Sequence, residues 1–143
     1  MNIYFVCTGN TCRSPMAEAI LRAKGIEGVN VKSAGIYAMP GGNMSSGTTQ
    51  VLTEQNMLIH HESSPVTLED LQWADLILTM TNSHKQGLLQ AFPQVADKAF
   101  SLKEYATDAH GDVSDPYGGS VDIYRQTFEE LSALIDLVVQ KLD

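Results

Sequence analysis

The stretch from Asn2 to Leu21 constrains this chain most. Ile3-Tyr4-Phe5-Val6 is an apolar run of β-favouring residues, and Met16-Ala17-Glu18-Ala19-Ile20-Leu21 reads as a helix. Pro15 is tolerated in that helix's first turn. Between the two lies only Cys7-Thr8-Gly9-Asn10-Thr11-Cys12-Arg13-Ser14. A strand, a tight polar loop and a helix in immediate succession turn several backbone N–H groups and a helix N-terminus toward one point, which makes an anion site. Cys7 sits at the strand end and Arg13 at the helix start, so the loop curls between them. The dipole and the guanidinium both favour a thiolate there. A thiolate facing a bound phosphoryl group is a nucleophile facing its substrate.

Other readings of the loop are weaker. Cys-x5-Arg alone fits a buried core cysteine, but here Gly9, Asn10, Arg13 and Ser14 share the same strand-to-helix loop. The Gly-Lys-Ser/Thr ending of a nucleotide-binding loop is absent, and so is Gly-x-Gly-x-x-Gly. Cys7 and Cys12 have no second Cys or His pair at ligand spacing, so no metal is expected.

The 143 residues fit one domain, residues 1–143, with a substantial core. The net charge of −8 argues against a nucleic-acid binder, and the apolar runs are too short to span a bilayer. An acidic body around an anion-binding loop also means that local geometry, not the global field, captures the phosphate. The N-terminus lacks the pattern of a signal peptide, and two cysteines in one loop are no secreted disulfide framework. A cytoplasmic monomer without cofactor is expected.

Further along, Gly25 suits a helix C-cap, residues 29–33 alternate like a strand, and Ser45 or Ser46 can cap a helix carrying Val51 and Leu52. A short helix starts near Thr67, followed by a nearly continuous apolar strand over 75–80. Asn82 or Ser83 opens the next helix, and residues 98–102 read as a fourth strand. Residues 106–119 form a long polar loop with Asp108, Asp112 and Asp115; such a loop in a compact domain is usually functional. The chain closes with an amphipathic helix over 121–142, on which Ile123, Phe128, Leu131, Leu134, Ile135, Val138 and Val139 recur at helical spacing. Alternating strands and helices predict an α/β fold, a parallel sheet with helices on both faces and the Cys7 loop at its carboxyl edge.

Val6-Cys7-Thr8-Gly9-Asn10-Thr11-Cys12-Arg13-Ser14-Pro15, with Ser33-Ala34-Gly35 and Asp115-Pro116-Tyr117-Gly118-Gly119, resembles the low-molecular-weight protein tyrosine phosphatase family. It most resembles the bacterial branch of protein arginine phosphatases. The resemblance spans essentially the whole chain and implies a single three-layer domain with a four-stranded parallel sheet. It also implies Asp115 as the general acid, which from the residues alone reads as an ordinary turn aspartate. For His60 or His61 it implies a contact behind the phosphate loop, where surface histidines are the plain alternative.

In that chemistry Cys7 attacks phosphorus, Arg13 and the N–H groups of Thr8 through Arg13 hold the equatorial oxygens, and Asp115 protonates the leaving group. Ser14 either donates to the Cys7 sulfur or caps the helix. Asn10 holds the loop's shape, because Asn tolerates left-handed backbone. Tyr117 walls the pocket or packs. Cys12 either protects Cys7 through a reversible disulfide or packs.

Thr11 discriminates between substrates. Tyrosine-directed members of the family usually carry a bulky aliphatic residue there, and two adjacent aromatics after Asp-Pro, where this chain has Tyr117 then Gly118. A short hydroxylated side chain leaves room and polarity for a guanidinium. Phosphoarginine on protein substrates is therefore expected, with inorganic phosphate as product, and phosphotyrosine is the alternative. A thioredoxin-linked arsenate reductase needs further redox cysteines, and none follows Cys12.

Overall fold

The computed structural model describes residues 1–142. Four strands, β1 (Asn2–Cys7), β2 (Asn30–Gly35), β3 (Leu76–Thr79) and β4 (Ala99–Ser101), form one wholly parallel sheet in the order β2-β1-β3-β4. The connecting helices are α1 (Arg13–Ala23), α2 (Ser46–Glu54), α3 (Leu68–Trp73), α4 (Asn82–Ala91) and α5 (Leu102–Thr107), and α6 (Val121–Lys141) closes the chain. The predicted four-stranded α/β architecture is the one observed.

Alternation along β1 divides the core. Ile3, Phe5 and Cys7 pack with Met16 and Ile20 of α1, Leu52 of α2, Leu102 of α5, and Leu131 and Ile135 of α6. Tyr4 and Val6 point the other way, onto Leu71 of α3 and Leu88 of α4. β1 and β3 are buried on both faces, as the continuous apolar runs require. Each fully buried Leu, Ile or Phe contributes about 1.5–3 kcal/mol relative to exposure. That apolar burial holds β1 rigid beneath the loop it carries.

Register sets the site. Cys7 pairs with Gly35, Val6 with Thr79, and Thr79 with Ser101, so these positions line the carboxyl edge of the sheet. The chain leaves β1 toward β2 and later returns on the other side to β3, and this reversal is where parallel α/β sheets open a crevice.

Several boundaries differ from the sequence reading. The fourth strand ends at Ser101, whose hydroxyl accepts the Glu104 N–H at 3.3 Å and starts α5. Ser101-x-x-Glu104 is a capping pattern, and it removes 102–107 from the strand and the long loop. α4 is capped by Thr81, not by Asn82 or Ser83: its hydroxyl accepts the His84 N–H at 3.0 Å. Pro93–Val95 forms a 3₁₀ turn. Ile123 is exposed: Val121 and Tyr124 of the first turn of α6 face the core, while the Ile123 side chain lies over Gly119. Among the described residues no helix is long and apolar enough to cross a membrane.

Candidate active site

Asn10 organises the loop after β1. It is fully buried at φ 57°, the left-handed region that Asn tolerates best among residues with a Cβ. Its side-chain amide donates to Ser14 Oγ at 2.8 Å and Ser33 Oγ at 3.0 Å, and its Oδ1 accepts the Ser64 N–H at 2.9 Å. Three segments far apart in sequence thereby grip one residue. The loop closes against β2 at Gly35, where a Cβ would lie 2.4 Å from the Thr8 carbonyl oxygen and 2.8 Å from the Asn10 nitrogen.

Cys7 sits at the floor, buried, with Ser14 Oγ 2.8 Å from its sulfur and the Asn10 N–H donating to it at 3.3 Å. The Asn10 amide donates to Ser14, so the Ser14 hydroxyl keeps its own proton, with the Cys7 sulfur at 2.8 Å as the near acceptor and the Ala34 carbonyl oxygen at 3.5 Å as the longer one. α1 begins at Arg13 with no side-chain cap, so Ser14 is not the cap. Asn10, Ser14 and the sulfur form one hydrogen-bonded chain that stabilises negative charge on sulfur.

Arg13 is buried beside it, donating through Nη1 to the Val113 carbonyl at 3.0 Å. Its Nη2 is 3.6 Å from Asp115 Oδ2. Asp115 is half-exposed, and its Oδ1 accepts the Tyr117 N–H at 3.0 Å in an Asx turn that fixes the other oxygen toward the pocket. Of the three loop aspartates Asp115 alone lines this pocket; Asp112 accepts the Asn82 N–H and Asp108 is the left-handed C-cap of α5. Cys7, Thr8, Gly9, Thr11, Cys12, Arg13, Asp115 and Tyr117 enclose about 230 Å³. Among the described residues the N–H groups of Gly9, Thr11 and Cys12 have no protein acceptor. The pocket thus joins a cysteine sulfur, a guanidinium and free amides beside a partly solvated carboxyl group, a set of groups suited to in-line phosphoryl transfer.

A family model described as low molecular weight phosphotyrosine protein phosphatase matches residues 2–143. This chain belongs to that family. The protein-arginine-phosphatase of Bacillus subtilis (strain 168) is 49% identical over 146 residues, covering 99% of this chain and 97% of that one. The low molecular weight protein-tyrosine-phosphatase PtpB of Staphylococcus haemolyticus (strain JCSC1435) is 42% identical over 135 residues, 94% of this chain and 95% of that one. The solved structure of YwlE arginine phosphatase from Geobacillus stearothermophilus matches with a TM-score of 0.97 at 45% identity, covering 99% of this chain and 92% of that one.

Other parts of this phosphatase support the loop from positions that carry no local signal in the sequence. His61 Nε2 lies 3.0 Å from the Asn10 carbonyl oxygen, the contact behind the loop that the family resemblance implies, while His60 is exposed. Buried Glu18 accepts from Ser33 Oγ at 2.6 Å and from Arg22 Nε at 2.9 Å, which steadies Asn10 through Ser33. The Cys12 thiol donates to Ser45 Oγ at 3.3 Å and lies 3.5 Å from the Tyr124 hydroxyl. Burial, then the bond with Cys12, raises the Tyr124 pKa. Gly47 admits the Tyr124 ring, since a Cβ there would sit 2.4 Å from it. Cys7 and Cys12 are both free thiols. His84 Nε2 is 2.7 Å from Thr8 Oγ1. Tyr117 is largely exposed on the pocket rim. Among the described residues no group of three or more His, Cys, Asp or Glu is arranged to hold a metal.

Proposed function

We propose that this phosphatase removes phosphate from phosphoarginine residues of proteins through a cysteinyl-phosphate intermediate. The observation that carries the chemistry is the single pocket in which Cys7, Arg13 and Asp115 meet, with Arg13 Nη2 3.6 Å from Asp115 Oδ2. Cys7 Sγ attacks phosphorus in line as the P–N bond breaks. Asp115 gives its proton to the departing guanidino nitrogen, so that neutral arginine side chain nitrogen leaves rather than an anion. Arg13 and the loop amides of Gly9, Thr11 and Cys12 hold the three equatorial oxygens. The Asp115 carboxylate then takes a proton from a water molecule whose oxygen attacks phosphorus as the P–S bond breaks, and inorganic phosphate leaves with the Cys7 thiolate regenerated. The charge is carried by Arg13 and the backbone, and no step is routed through a metal.

Thr11 lines this pocket and supports arginine over tyrosine. Its hydroxyl and small volume suit a branched, polar guanidinium, and Asp115 suits it through paired hydrogen bonds. The similarity to the Bacillus subtilis protein-arginine-phosphatase supports the same choice. The second reading, phosphotyrosine, is favoured by the exposed Tyr117 ring at the rim, against which an aryl group can stack. Our reading places the enzyme in the cytoplasm as a monomer acting on phosphorylated proteins, with neither nucleic acid nor membrane as partner.

Hydrolysis of a phosphoarginine peptide and a phosphotyrosine peptide by wild type, Thr11→Ile and Cys7→Ser tests the proposal. Preference for phosphoarginine, weakened or reversed by Thr11→Ile, supports it. Preference of the wild type for phosphotyrosine moves the protein to the second reading. Equal rates for wild type and Cys7→Ser remove the nucleophile.

A further inference from the structure

Behind the pocket stands a titratable side chain with no part in those steps. His84 comes from the first turn of α4 and is only 9% exposed. Its Nε2 lies 2.7 Å from Thr8 Oγ1, and its Nδ1 is buried with no partner among the described residues. Thr8 in turn lines the pocket beside Cys7. Burial first, and the nearby Arg13 charge second, hold the His84 pKa down to about 4 against the opposing pull of Asp112 and Asp115. The ring is therefore neutral at physiological pH, with one N–H.

Two tautomers are available, and they treat Thr8 in opposite ways. A proton on Nδ1 would be a buried donor without an acceptor, and Nε2 would then consume the Thr8 hydroxyl proton. A proton on Nε2 is satisfied by Thr8 Oγ1 and leaves Nδ1 as a bare lone pair. Orphaned buried N–H groups are rarer than under-satisfied acceptors, so the Nε2–H form is favoured. In that form the histidine cannot take the Thr8 hydroxyl proton, which is left for the pocket.

We propose that His84 is a positioning residue: by donating from Nε2 to Thr8 Oγ1 it makes the Thr8 hydroxyl a donor to an equatorial oxygen of the bound phosphoryl group. Thr8 then joins Arg13 and the loop amides as an oxyanion donor. Its direction is set before substrate arrives, so no reorientation is needed during the reaction. The inference rests on the loop binding a phosphoryl group, but not on whether that group comes from arginine or tyrosine.

The test has two arms. Nitrogen-15 spectra of histidine-labelled protein, with His84 assigned by its loss in His84→Gln, are expected to show a protonated, pyrrole-type Nε2 and a bare, pyridine-type Nδ1. The reverse pattern overturns the proposal. In the second arm, an aryl phosphate is hydrolysed by Thr8→Val, His84→Leu, His84→Gln and the double variant Thr8→Val with His84→Leu. Each of Thr8→Val and His84→Leu is expected to lower kcat roughly tenfold, and the double variant is expected to be no worse than either alone. His84→Gln, whose side-chain amide can donate from the Nε2 position, is expected to recover most of the loss. Losses that multiply in the double variant overturn the proposal, as does a folded His84→Gln as slow as His84→Leu. Wild type that cleaves the aryl phosphate but not a phosphoarginine peptide sinks the arginine assignment and leaves this one standing. Wild type inert toward both sinks the two together.

Discussion

The Ser14 hydroxyl oxygen stands 2.8 Å from the Cys7 sulfur, and the Asn10 amide donates to it from behind, so its proton goes to the near sulfur in preference to the Ala34 carbonyl oxygen at 3.5 Å. A hydrogen bond to a charged acceptor contributes about 1.5–3 kcal/mol, so its loss is expected to slow the nucleophile about tenfold to a hundredfold. Ser14→Ala should therefore lower kcat by that factor and slow alkylation of Cys7 by iodoacetamide at neutral pH. Alkylation at the wild-type rate would show that the serine only fills space.

Asp115 is held by its own turn through the Tyr117 N–H, so its second oxygen is aimed without help from the substrate. Asp115→Asn preserves that turn and removes the proton. The expected loss in kcat is about 10²- to 10⁴-fold, the usual contribution of a general acid. It should be smaller on aryl esters with very good leaving groups. Inhibition by inorganic phosphate should persist, and Asp108→Asn, outside the pocket, should change the rate little.

Gly35 lies where two backbone segments touch. Gly35→Ala drives a methyl group to 2.4 Å from the Thr8 oxygen and 2.9 Å from the Gly9 carbonyl carbon, neither of which is the tip of a flexible side chain. Overpacking of this kind costs about 1–3 kcal/mol of stability. The shift falls on the very residues that aim amides into the pocket, so kcat/KM should fall by more than the melting temperature implies. Full activity with lowered stability would show that the loop yields without losing its shape.

His84 makes stability depend on pH. Its folded-state pKa of about 4 lies below the ordinary 6.5, so on acidification the unfolded chain takes up the proton first. The penalty is absent above pH 6.5, grows as pH falls, and is complete below about pH 4, amounting to on the order of 3 kcal/mol. In urea titrations, His84→Leu should lose less stability than wild type between pH 7 and pH 4.5. Parallel losses would mean that water reaches the ring.

The sequence by itself determined the phosphate loop, because the residues that build it are contiguous. β1, the left-handed Asn10 and the start of α1 follow one another between Asn2 and Ala23, so the loop that carries Cys7 and Arg13 could be read without knowing any distant contact. The parallel sheet was legible for the same reason: each strand and helix has its own pattern. α5 was not, since six residues are too few for a periodicity, and the cap at Ser101 lies in a segment that also suits a strand. The family resemblance points to Asp115, but from the residues alone it reads as a turn aspartate like its neighbours. The tertiary structure is what puts Asp115, and not Asp108 or Asp112, beside Arg13 across a hundred residues of chain, a distance no local pattern encodes. The same holds for the support behind the loop. Ser64 and His84 look ordinary in sequence, and the resemblance leaves His61 undecided against His60. These side chains, with Ser33, meet residues 8–14 only when the register of β1 against β2 and the return to β3 bring them there. Covalent neighbours set which groups can react, and through-space packing sets which protons and dipoles they meet.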